Sequence, residues 1–132
     1  MARYLHLPIY KLSYELLLRI MLVVKDFPRE HKFTVGQKLK DEITSLIVLI
    51  YRANSREQKI PVIDEILEKI LVVELLIRLS QDMRILSKKD YASLVEMTES
   101  LSKQAEGWKK SSLKVNITPR PPRDSQNEVS SG

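Results

Sequence analysis

Basic side chains are the main functional material in this sequence. Lys and Arg number 22 against 17 Asp and Glu, a formal net charge of +5. Eleven of the basic residues fall in three groups. The first is Arg29, Lys32, Lys38 and Lys40, interleaved with Glu30, Asp41 and Glu42. The second is Arg78 and Arg84. The third is a run from 109 to 123 holding Lys109, Lys110, Lys114, Arg120 and Arg123 with no acid, which accounts for the whole formal excess. Such clusters suit a polyanion, because each phosphate that a cation neutralises releases condensed counterions. Singly, each is an ordinary solvated charge. Arg78 stands out, since it lies in an otherwise apolar stretch where a charge is costly unless paired or facing a ligand. An i, i+4 pair with Glu74 is the equally weighted alternative.

Catalysis has little to work with. No cysteine means no thiolate nucleophile, no disulfide and no Cys-ligated zinc or iron–sulfur site. His6 and His31 stand in no HExxH or comparable ligand spacing. Asp64, Glu65 and Glu68 lack the Glu-x-x-His partners of a di-metal bundle and read as charges matched to a helix N-terminus. Gly36 and Gly107 are isolated, so no glycine-rich phosphate loop is present. The expectation is no enzyme, no metal and no cofactor.

The elements that must position these cations are helical. With 43% hydrophobic residues and few Gly and Pro, the chain favours helices around one core. Apolar residues recur at spacings of three and four in four segments, predicting helices over about 8–26, 35–54, 61–82 and 88–110. Phe27-Pro28 should stop the first, and 27–34 should form a connection with Thr34 as N-cap. Gly36 falls where a glycine costs little. Pro61 suits a first helical turn, and Ser87 with Asp90 makes a weak capping box. Short connections between long helices predict an all-α, up-down-up-down antiparallel four-helix bundle over 1–112. A basic, then polar, flexible tail should occupy 113–132. No segment reaches the roughly 20 apolar residues of a membrane span, and no signal peptide is evident.

The second and third helices are apolar on more directions than one core can use. Leu46 to Tyr51 is continuous, and Glu74 and Arg78 are the only charges between Ile70 and Leu79. Faces of that width predict a homo-oligomer built through these helices, with Leu46, Ile50, Val72 and Leu76 at its interface. Symmetry would multiply modest basic patches into a strong polyanion surface.

Three stretches carry a family resemblance: FPREHKFTVGQKLKD at 27–41, LEKILVVELLIRLSQDMRILSKKDY at 67–91, and EGWKK at 106–110. Together they resemble the accessory variability determinant (Avd) family of diversity-generating retroelements over about residues 8–110. The resemblance implies a four-helix bundle assembled as a ring-shaped homopentamer, without catalytic activity. It implies binding of the retroelement's reverse transcriptase and of template RNA or cDNA during mutagenic cDNA synthesis. It also implies a cytoplasmic protein of a prokaryote or phage. Arg29, Lys40 and Arg78 fall on positions that are basic in the family, while Glu74 departs from a basic residue expected in some relatives. The expected nucleic-acid or polymerase-binding set is Arg29, Lys32, Lys38, Lys40, Arg78, Arg84, Lys109 and Lys110. The resemblance extends in fold to the four-helix proteins encoded in ribosomal RNA intervening sequences. A structural or interaction protein of that type, with no part in reverse transcription, is the alternative.

Overall fold

A computed structural model describes residues 5–55 and 57–117. The chain is all-α, with four long helices and no strand among the described residues: α1 (Pro8–Lys25), α2 (Gln37–Asn54), α3 (Ile60–Asp82) and α4 (Lys88–Ile117). α1 packs on α2 and α4, and α3 packs on the same two. The core between them is lined by Leu16 and Ile20 of α1, Leu39, Ile43, Leu46 and Ile50 of α2, Ile63, Ile66, Ile70 and Ile77 of α3, and Leu94 and Leu101 of α4, all almost fully buried. Three polar side chains lie among them. Ser13, Ser80 and Thr98 each donate to a carbonyl of the preceding turn, of Ile9, Leu76 and Val95 respectively. Their burial therefore leaves no hydroxyl unpaired.

The first connection is shorter than expected. Asp26 and Phe27 close α1 by donating to Val23 and Val24 carbonyls, and the Phe27 side chain is buried. A helical turn then resumes at Arg29–His31, nucleated on the Pro28 carbonyl, which accepts from the N–H groups of His31 and Lys32 at 2.8 and 3.1 Å. A π-helical turn, Lys32–Gly36, leads directly into α2. Thr34 is thus inside helical structure and caps nothing; its hydroxyl donates to the Glu30 carbonyl at 3.1 Å. Pro28, which cannot sit in a helix interior, suits a helix start and so shortens the break to the three residues Asp26, Phe27 and Pro28. Gly36 has a packing role: a Cβ there would lie 2.6 Å from Val24 Cγ1 and 3.1 Å from the His31 carbonyl oxygen.

The other ends follow the chemistry of their residues. Lys59 Nζ donates to the carbonyls of Ala53 and Asn54 at 3.1 and 3.3 Å, satisfying the end of α2. Pro61 lies in the first turn of α3. α3 ends with the paired bonds of a Schellman motif, Ile85 N–H to Ser80 and Arg84 N–H to Gln81. Ser87 Oγ accepts from the Asp90 N–H at 3.1 Å, capping α4 as its spacing predicts. α4 runs on to Ile117, past the stop expected at 110. Residues 111–117 contain neither Pro nor Gly, and the first breaker is Pro119. The expected tail beyond 117 lies outside the described residues.

Candidate nucleic-acid interface

The connection after α1 and the one before α4 lie at the same end of the molecule. Arg19, in the last two turns of α1, reaches Asp90, in the first turn of α4, at 3.8 Å. That end gathers Lys25, Arg29, Arg84, Lys88 and Lys89, all exposed, with Lys32 half-buried. Several acids there are already engaged. Asp90 faces Arg19, Asp82 faces Arg78 at 3.3 Å, and Glu30 lies 3.3 Å from His31 Nε2. Asp26 is exposed there as well, and the exposed cations outnumber it, so this end is cationic on balance.

The expected basic set does not form one patch. Arg29, Lys32 and Arg84 share the end just described. Lys109 and Lys110 lie 21 residues along α4 from Lys88 and Lys89, about 30 Å at 1.5 Å per residue. Lys109 Nζ is held by Asp64 at 2.8 Å, and that hydrogen bond, with the carboxylate's charge, raises its pKa above the ordinary amine value. Asp64 therefore answers a lysine of α4; the first turn of α3 itself carries no acid.

Lys38 is exposed and has an acidic partner on its own helix. Its Nζ lies 3.4 Å from Glu42, which also accepts from Lys69 of α3 at 2.9 Å. The hydrogen bond from Lys69 is the main cause of a lowered Glu42 pKa; desolvation opposes it and Lys38 adds to it. Lys40 lies half-buried on the other flank of α2. Arg78 is exposed and pairs with Asp82, not with Glu74. The helix turns this charge into solvent, so the apolar residues around it in sequence impose no burial cost.

The expected oligomer residues are also redistributed. Leu46 and Ile50 are completely buried inside the single chain, so they belong to its core and not to its surface. Val72 and Leu76 are half-buried against that core. The exposed large apolar residues are instead Leu71, Leu75 and Leu79 on α3, and Tyr14, Leu18, Met21 and Leu22 on α1, with Phe33, Val48, Tyr51, Met83 and Leu113 elsewhere. The α1 group escaped sequence reasoning because Leu16 and Ile20 already supply that helix with an inner face. Lys25, Lys88 and Lys89 escaped it because only folding brings the two connections together.

Two surface grooves of about 290 and 310 Å³ are lined by none of the expected basic residues. Among the described residues no three His, Asp or Glu side chains are placed to hold a metal, and no helix is long and apolar enough to cross a membrane.

A family model described as bAvd-like matches residues 8–112, from the first residue of α1 into the last turns of α4. No curated protein and no solved structure matches the chain.

Proposed function

The chain belongs to the bAvd-like family, and we propose that it is a non-catalytic accessory protein of a diversity-generating retroelement. It binds the element's reverse transcriptase and its template RNA or cDNA, and so supports mutagenic cDNA synthesis in the cytoplasm. The family match across all four helices carries this reading. The cationic end supports it: Arg29, Arg84, Lys88 and Lys89 project there while the nearby carboxylates Asp82 and Asp90 are drawn off by Arg78 and Arg19. Cations of this kind hold phosphates and orient a strand without reading its bases. The protein's contribution is positioning and electrostatics.

The cross-helix ties support an up-down-up-down order, in which the end of α1 meets the start of α4, and the end of α4 meets the start of α3. A ring-shaped homo-oligomer, five copies by the resemblance, repeats the cationic end around an axis. No single copy then needs a deep basic groove.

RNA binding measured by fluorescence anisotropy across a salt series tests the proposal. Log affinity should fall linearly with log salt. The triple variant Arg29→Ala, Arg84→Ala, Lys88→Ala should bind more weakly and with a shallower slope, each lost phosphate contact flattening it by roughly 0.7–0.9. Its helical circular dichroism should stay unchanged, since all three side chains are exposed. Binding indifferent to salt, or unaltered in the variant, would overturn the reading. The exposed apolar stripes on α1 and α3 would then favour a structural or interaction protein of the ribosomal RNA intervening-sequence type.

A further inference from the structure

Two apolar stripes on different sides of the molecule have matching lengths and opposite charges at their ends. On α1, Tyr14, Leu18 and Leu22 follow one another at four-residue spacing, and all are exposed. Lys11 and Lys25 bracket them on the same face, also exposed. On α3, Leu71, Leu75 and Leu79 repeat the spacing and are exposed in turn, Leu71 and Leu75 to 65%. Glu68 and Asp82 bracket these, both exposed, Asp82 being shared with Arg78 of its own helix. Each bracketing pair is 14 residues apart, about 21 Å along its helix.

The two helices differ in charge throughout. α1 carries Lys11, Arg19 and Lys25 against Glu15 alone, whereas α3 carries Asp64, Glu65, Glu68, Glu74 and Asp82 against Lys69 and Arg78. α1 and α3 both pack on α2 and α4, so their outer stripes face away from each other.

We infer that the α1 stripe of one copy packs on the α3 stripe of the next, leucines against leucines and lysines against acids at the two rims. This deepens the self-assembly proposed above and rests on it. The contact joins two different surfaces, so it is heterologous and propagates head to tail. Contiguous exposed apolar residues of this kind mark interfaces, and complementary rim charges select the partner surface.

Heterologous pairing has a signature that a two-fold contact lacks. Sedimentation velocity would be run on the full chain, on Leu18→Asp, on Leu75→Asp and on their equimolar mixture. The unaltered chain should assemble. Each variant alone should be monomeric with unchanged helical circular dichroism, because both leucines lie at least half exposed. The mixture should give a 1:1 dimer and nothing larger, since one sound α1 stripe meets one sound α3 stripe. Leu22→Glu and Leu71→Glu should reproduce the result should either aspartate disturb folding. Variants that assemble like the unaltered chain would overturn the pairing while leaving the ring intact. A mixture that stays monomeric would also overturn it. An unaltered chain that is itself monomeric would sink both the ring and the pairing.

Discussion

Arg84 combines a strained backbone with an exposed charge. It is the one non-glycine residue at positive φ among the described residues, at 65°, and it occupies the Schellman position where glycine is usual. A side chain in that conformation costs about 1–2 kcal/mol, partly offset by the entropy glycine would lose there. Arg84→Gly should therefore raise stability by up to about 1 kcal/mol in urea denaturation, while RNA affinity falls. A variant that gains stability and keeps full affinity would show that the arginine has no binding role. Only the charge of Arg84 was legible in the sequence, because no glycine marks this turn and its φ is set by the way α3 meets α4. For Arg78 only the partner differs from the sequence reading, Asp82 in place of Glu74: its neighbours in sequence are apolar, but its neighbours in direction are not. Whether its partner lies four residues before or after is decided by side-chain packing.

At the scale of elements, the lead-in to α2 shows where sequence reasoning stops. The break at Phe27-Pro28 was readable; the immediate resumption at Arg29 was not, because Thr34 in front of an apolar run imitates a cap. The π turn leaves no periodic signal, and Gly36 reveals its purpose only against Val24, which is almost fully buried. Gly36→Ala should destabilise the protein by about 1–3 kcal/mol, the usual cost of overpacking, seen as a lower thermal midpoint. An unchanged midpoint would mean that the junction between α1 and α2 can relax. Continuous apolar runs posed a second limit. Leu46 to Tyr51 is apolar on more directions than one core needs, so the sequence places Leu46 and Ile50 at an interface between copies, whereas they lie in the core of a single chain. On α3 the division came out by residue type, with Ile70 and Ile77 buried and Leu71, Leu75 and Leu79 exposed.

The four helices themselves were legible across the whole molecule, since few breakers interrupt strong three-and-four spacing and each connection is short. The family was legible because its residues are spread over three stretches and not confined to one motif. What ties the helices together was not, and Glu42 is the main case. Held by Lys69 and Lys38, its carboxyl titrates below the usual value of 4.5. A lowered folded-state pKa means that the stabilisation is complete above the unfolded value and is lost as pH falls through the folded one. Glu42→Gln should cost roughly 1–3 kcal/mol at neutral pH, and the thermal midpoints of the two proteins should converge in acid. Parallel curves down to low pH would remove Glu42 as the source of the acid dependence. The placement of α1 and α3 across the molecule has a last geometric consequence. If two flanks of one body mate front to back as proposed, the angle between those flanks sets how many bodies complete a circuit, about 72° of turn apiece for five. That angle belongs to α2 and α4, which hold the flanks apart. Copy number would then be tuned by the thickness of the interior, and a substitution far from any contact could turn a closed polygon into an open spiral.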